Sequence, residues 1–257
     1  MLDIRGLEFI HHRKQILSDI NLSVNDGEII GIIGSPGSGK TVLMNILAGR
    51  LKGHTGDISV NNAPLDSYSR WEKNRIIASL IKNEQLNYNE TLCDFLLLSR
   101  IPHKKILRAF SDYDVQITEE YIAGFELAEY KDKELLKLPE SVLKRGLLAF
   151  TFIRDAYILL LDNPAALLDL KSVYLLRRAV SRYVFNGNRI VIISSNDINF
   201  VLQTADRIVV LDSGSIAETG TPDIVNSGMV KKYFGIEVMV SRNIYNGRPE
   251  IHFFPGG

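Results

Sequence analysis

The chain has 257 residues, 46% apolar and 23% charged, an ordinary globular balance that excludes disordered and fibrous classes and is long enough to bury a substantial core. Its 30 basic and 30 acidic residues cancel, and no basic stretch is dense enough to grip a polyanion, so nucleic acid is not an expected partner. Cys93 is the one cysteine; it allows neither an internal disulfide nor a thiol zinc site and fits a reducing cytoplasm.

The opening Met1-Leu2-Asp3-Ile4-Arg5 lacks the basic and apolar regions of a signal peptide, and no apolar run approaches the roughly 18 to 20 residues of a membrane span. Association with a membrane is therefore expected to run through a partner. Short runs rich in Ile and Val alternate with longer helical patterns, which predicts an α/β fold with a mostly parallel sheet covered by helices. Strands are expected at 2–9, 20–24, 29–33, 57–60, 76–81, 158–162, 189–194 and 207–212. The first two, with 57–60, read as an antiparallel N-terminal edge, and His11-His12-Arg13-Lys14 reads as a solvated turn. From 91 to 155 the strand signal gives way to helices at 91–99, 118–129 and 141–154, an inserted α-helical subdomain. The alternation then resumes, and Gly214 separates a strand from Ser215-Ile216-Ala217-Glu218, the signature of a hairpin.

Gly34-Ser35-Pro36-Gly37-Ser38-Gly39-Lys40-Thr41 matches G-x-x-x-x-G-K-[ST]. It lies between the strand at 29–33 and a helix starting near Thr41, the placement this pattern needs in order to act. Glycines let backbone amides turn inward around a β-phosphate, and the helix N-terminus adds partial positive charge. Lys40 is then placed to hold the β and γ phosphates of ATP, and Thr41 to ligate Mg2+ through its hydroxyl.

Tyr157-Ile158-Leu159-Leu160-Leu161-Asp162 is an apolar strand ending in a carboxylate. Such an acid also closes strands as a plain turn former, but here it continues into Asn163-Pro164-Ala165-Ala166-Leu167-Leu168-Asp169. Together with Val191-Ile192-Ile193-Ser194-Ser195-Asn196-Asp197, Ala205-Asp206-Arg207-Ile208-Val209-Val210-Leu211 and Gly220-Thr221-Pro222, this resembles the ATP-binding subunits of ABC transporters over essentially the whole chain. The resemblance implies a P-loop NTPase fold of the ABC ATPase type, with 1–257 as one nucleotide-binding domain. Within it, 1–90 and 156–234 would be a RecA-like core with a β subdomain, 91–155 the helical subdomain, and 235–257 a C-terminal extension. It also implies Asp162 as a Walker B magnesium ligand and Asp169 as the D-loop aspartate. The implied partners are transmembrane permease subunits and a second ATPase, in a homodimer or in a heterodimer with another ABC ATPase subunit. The implied place is peripheral, on the cytoplasmic face of the inner (plasma) membrane. Thr91-Leu92 with Leu98-Ser99-Arg100-Ile101-Pro102-His103, and the tail Phe234-Gly235-Ile236-Glu237-Val238 with Asn246-Gly247-Arg248-Pro249, resemble the importer ATPases for iron chelates, haem and cobalamin. Ser99 stands where those have Gly.

Against that family the γ-phosphate apparatus is altered. The signature loop, usually Leu-Ser-Gly-Gly-Gln, falls on Leu138-Pro139-Glu140-Ser141-Val142, where only the first residue is kept. Pro139 has no amide to give, Glu140 brings negative charge toward phosphate, and Pro139, Glu140 and Ser141 are good capping residues for a helix start. Asn163 stands in place of the catalytic glutamate and Asn196 in place of the switch histidine. Lys82 takes the position of the Q-loop glutamine near the metal, with Gln85 three residues on as a substitute, and His11 takes that of the adenine-stacking aromatic. The expectation is a MgATP cradle with weakened or absent hydrolysis. A non-transport regulatory or scaffolding ATP-binding module is the alternative, and the surface near 82–102 discriminates. There Leu96, Leu97 and Leu98 either line a groove for a permease helix or fill the core at ordinary helical spacing. A P-loop kinase is disfavoured, since nothing resembles an arginine-rich acceptor lid.

Overall fold

The computed structural model describes residues 1–80, 89–104, 109–166, 168–185 and 187–254. Strand β1 (Leu2–His11) and β2 (Lys14–Val24) form an antiparallel hairpin. Its turn residues His12 and Arg13 both have positive φ, 47° and 64°, the pairing whose twist matches that of the flanking strands. The basic run therefore closes a hairpin, and β2 begins at Lys14, well before the expected residue 20. Strand β3 (Ile29–Ile33) leads through the glycine-rich loop into helix α1 (Lys40–Leu47). Next come β4 (Thr55–Val60) and β5 (Ala63–Pro64), which join β1 and β2 in an antiparallel sheet ordered β2-β1-β4-β5. The expected N-terminal edge is thus a sheet of its own.

Helix α2 (Arg70–Ile76) starts on a reciprocal cap in which Ser69 and Glu72 each bond the other's backbone. It consumes Ile76, so strand β6 (Ile77–Leu80) begins one residue later than expected. Helices α3 (Leu92–Leu98), α4 (Asp112–Gly124) and α5 (Glu140–Ile153) then pack on one another. The expected helix at 118–129 is displaced. Ser111 and Asp114 form a second capping box that starts α4 earlier, while the left-handed Glu126, φ 52°, bars helix beyond the C-cap. Leu96 is fully buried and Leu97 and Leu98 are half-buried, so this run serves the core.

Strand β7 (Ile158–Asp162), helix α6 (Leu170–Phe185), β8 (Ile190–Ser194), the short α7 (Ile198–Leu202), β9 (Arg207–Asp212) and β10 (Ser215–Gly220) complete the main sheet. Its order is β10-β9-β3-β8-β7-β6, parallel throughout except for the β9-β10 hairpin at Gly214. Helix α8 (Ser227–Phe234) and a last hairpin of β11 (Met239–Arg242) and β12 (Pro249–His252) follow. Strand β3 shows how the sheet is buried on both faces. Ile30 and Ile32 enter one core with Leu43 and Met44 of α1, while Ile29 and Ile33 enter the other with Phe152 and Val201. Alternating residues pointing to opposite faces produce this division. Among the described residues no helix is long and apolar enough to cross a membrane.

Candidate functional site

In this strand order β3, β8 and β7 are neighbours, so the loops leaving their C-terminal ends meet along one edge, the usual ligand crevice of an open α/β sheet. The loop after β3 is Gly34 to Gly39. A Cβ at Gly34 would stand 2.1 Å from Leu211 O, and one at Gly39 2.7 Å from Leu17 Cδ2. With φ of 103° at Gly39, only glycine fits where this loop is pressed between β2 and β9. Ser35 Oγ donates to Tyr233 O at 2.5 Å, and Gly214 N donates to Ser38 O at 3.2 Å; Ser38 itself is buried. Pro36 and Gly37 remain exposed at the tip.

Lys40 opens α1 and is 8% exposed. Its ammonium donates to Gly34 O at 2.6 Å, Ser35 O at 3.1 Å and Ser38 Oγ at 3.5 Å. Burial pushes its pKa down, and the nearby charge of Asp162 works in the opposite direction. Helix α1 has glycine at its N-cap, no side-chain cap and no acid in its first turn. Its leading amides and the ammonium thus make a cationic pocket end that no carboxylate among the described residues neutralises by contact, which suits an anion.

Asp162 closes β7 in register with Ser194 of β8, whose hydroxyl donates to Asp162 Oδ1 at 2.5 Å. Asn163 follows with φ 49°, a left-handed backbone that asparagine tolerates better than most residues. Its amide donates to Ser194 O at 2.7 Å, and its side-chain oxygen accepts from Ser195 Oγ at 3.4 Å. Ser195 also accepts from Asp197 N at 3.0 Å. Ser194 and Ser195 are completely buried hydroxyls ending an apolar strand, and that change from Ile190–Ile193 to two serines is the sequence signal that marks them.

A cavity of about 510 Å3 brings these parts together. Pro36, Gly37, Gly39, Lys40 and Thr41 form one wall, and Asp162, Asn163, Ser194, Ser195 and Asn196 the facing one. The third side is Lys14 and Ile16 of β2, with Val42 of α1. Asn196 and Thr41 are exposed into it. His11 is not part of the lining; it lies exposed at the hairpin tip, its ring edge-on to His12 at 4.2 Å. Lys82, with Gln85, lies outside the described residues.

The segment 138–142 is absent from the cavity wall. Leu138, just before α5, and Val142, in its first turn, are buried, and Pro139 and Glu140 are exposed. Pro139 is the N-cap and makes no side-chain cap bond. The helix start expected at Pro139, Glu140 and Ser141 is present, but no side chain caps it, and Glu140 pairs with Lys144 one turn on, at 2.7 Å. Asp169 caps α6, accepting from Ser172 N at 2.6 Å, a bond that holds its carboxyl below the usual range.

The chain's residues 17–166 match the family model described as ABC transporter. It is 28% identical over 240 residues to an uncharacterized ABC transporter ATP-binding protein of Methanocaldococcus jannaschii, with 93% of each chain covered. It is 26% identical to a petrobactin import ATP-binding protein of Bacillus anthracis, covering 96% of this chain and 91% of that one. It is also 26% identical to a hemin import ATP-binding protein of Myxococcus xanthus, at 93% and 91%. Among solved structures, a metal-chelate type ABC transporter in an inward-facing conformation superposes with a TM-score of 0.80 at 19% identity, covering 100% of this chain and 97% of that one. An ATP-binding cassette in its ADP conformation gives 0.78 at 20%, covering 91% and 97%. With its phosphate-cradle loop, its strand-end carboxylate and the family match running through both, the chain belongs to the ABC transporter family.

Proposed function

We propose that this chain is the ATP-binding subunit of an ABC importer for iron complexes, haem or cobalamin, one that binds MgATP and hydrolyses it slowly or not at all. The observation that carries this reading is the cavity in which Lys40, Thr41 and Asp162 converge while Asn163 and Asn196 occupy the facing wall. The donor set fits the ligand: a nearly buried ammonium held by neutral oxygens, uncapped helix amides, a hydroxyl and a carboxylate. Gly34 to Lys40 would hold the polyphosphate, and Thr41 and Asp162 the Mg2+, directly or through water. Bound Mg2+ supplies neutralisation of charge on the β and γ oxygens. Ser194 orients Asp162 for that task. Asn163 can hold a water by hydrogen bonding but cannot accept its proton, and the loss of a general base typically costs about 10² to 10⁴ in rate. Asn196 offers a neutral hydrogen bond where a histidine would add charge.

The signature positions Leu138 to Val142 lie outside the cavity, which supports a second ATPase chain facing it, identical or different, with permease subunits as the membrane partners. In such an assembly the chain would act peripherally, at the cytoplasmic face of the membrane. Ile16 and Val42 form the apolar side available to the nucleoside, and the stacking role expected of His11 requires its hairpin tip to turn inward. The importer class is supported by the petrobactin and hemin import proteins among the relatives.

The test is calorimetry and steady-state turnover on the purified chain and on Asn163→Glu. MgATP should bind the wild type with turnover well below the usual 1 to about 10³ per second. The glutamate should raise turnover by about 10² or more, at a cost of about 1 kcal/mol in folding stability for a left-handed backbone. Wild-type turnover inside the ordinary range would overturn the hydrolysis claim, and absence of nucleotide binding the whole reading.

A further inference from the structure

Between α4 and α6 runs a groove of about 500 Å3 that shares no residue with the nucleotide cavity. Its wall on α6 carries Tyr174, Arg177, Arg178 and Arg182. Arg177 is half-buried, and its Nη2 donates to Gln203 O at 2.8 Å, a neutral acceptor. Arg248 lines the adjoining cavity, which shares Ser181, Gln203 and Thr204 with the groove. Its own bonds also go to carbonyls, Leu202 O at 3.0 Å and Ala205 O at 2.7 Å. Burial first, and the like charge of Arg248 second, hold Arg177 below its ordinary pKa. Arg178 lies over the Tyr174 ring, 5.6 Å from its centre.

The acids here are few and placed at the ends. Glu120 of α4 accepts from Arg182 at 2.8 Å, Asp206 stands 3.9 Å from Arg248, and Glu126, beyond the end of α4, is paired with Lys171 and also feels the charge of Arg178. Among the described residues no ion pair reaches Arg177 or Arg178. Two adjacent guanidiniums, one partly desolvated and one presented on an aromatic ring, therefore face a concave space with an excess of positive charge. Unlike ammonium groups, guanidiniums offer planar forks that match phosphate oxygens in pairs.

We propose that this groove is a second anion site, which takes a phosphate monoester carried on a flat apolar body, with Arg177 and Arg178 on the phosphate and Tyr174 against the body. The probe is phenyl phosphate, titrated calorimetrically into the full chain carrying Lys40→Ala. Disabling the nucleotide cradle in this way makes the result independent of the ATP reading. Saturable binding below about 10 mM is expected, weakened about tenfold or more in Arg178→Gln. Arg177→Lys, which keeps the charge and removes the fork, should weaken it as well. The Arg178 side chain is exposed, so thermal melting of Arg178→Gln should match its parent and exclude misfolding as the cause. Failure to saturate in that range, or equal affinity in Arg178→Gln, overturns the proposal. Co-sedimentation with phosphatidylcholine vesicles containing phosphatidic acid separates the sources. Recruitment lost in Arg178→Gln assigns the phosphate to a lipid headgroup, and phenyl phosphate binding without recruitment assigns it to a soluble ester.

Discussion

Arg100 in the helical layer and Lys40 in the glycine-rich loop are both nearly buried cations, 2% and 8% exposed, yet their surroundings differ in kind. Arg100 is complete. Its Nε donates to Asp114 Oδ1 at 2.7 Å and its Nη1 to Ile153 O at 2.9 Å, while Asp114 also accepts from the backbone and hydroxyl of Ser111. Burial alone would push the Asp114 carboxyl up, but these hydrogen bonds and the guanidinium charge together hold it below the ordinary value. Among the described residues, Lys40 meets only carbonyls and a hydroxyl of its own loop. The protein compensates desolvation internally at Arg100, and leaves Lys40 open where the proposed polyphosphate would enter.

The sharpest way to break this comparison is to remove a partner from the completed pair. Asp114→Ala strands the Arg100 guanidinium among α3, α4 and α5, and removing one partner of a buried pair costs about 3 to 5 kcal/mol. Urea denaturation should show that loss, with nucleotide affinity of the surviving folded protein unchanged. A cost below about 1 kcal/mol would mean that the pair is not buried in solution.

Lys40→Met should behave in the opposite way. A lysine whose pKa is depressed on folding contributes stability only above its unfolded value of 10.5, and that contribution is lost as pH falls through the folded value. At neutral pH the charged form is thus a cost to the unliganded fold. Replacement by methionine should leave the unfolding free energy within about 1 kcal/mol of wild type, or raise it, and should abolish MgATP binding in the same calorimeter. A large destabilisation would make Lys40 structural and collapse the contrast.

The contrast was half legible in the sequence. Cradle chemistry is contiguous, so a run of eight residues declares it, and the strands around it are legible because a sheet covered on both faces demands unbroken Ile, Val and Leu. Arg100 is legible only as part of the segment 98–103 and Asp114 not at all, since their bond depends on where α4 begins. That start is set by the Ser111 hydroxyl meeting Asp114 N, a local polar bond that outweighs the apolar periodicity from which a later helix is expected. The same holds for Ser194 beneath Asp162 and for Lys14 and Ile16 on the cavity wall. Each reaches the candidate site through strand adjacency, which hydrophobic periodicity does not encode. His11 shows the converse: a position fixed by sequence alignment need not point into the site in the isolated chain.

The smallest expected effect sharpens the comparison through a neighbour of the completed pair. His103 is half-buried, and its Nε2 lies 2.8 Å from Arg154 O, a contact that requires a proton on Nε2 and is satisfied by the neutral ring. Burial lowers its pKa from 6.5, and the positive charge of Arg100 lowers it further. A histidine with a depressed folded pKa contributes stability present above 6.5 and lost as pH falls from there through the folded value. His103→Gln keeps a donor for Arg154 O and removes the titration. Between about pH 7 and pH 5, wild type should therefore lose stability more steeply than His103→Gln in matched urea titrations. Equal slopes would show that His103 is not desolvated in solution as its burial implies, and that the Arg100 charge paired with Asp114 is not felt beyond that pair.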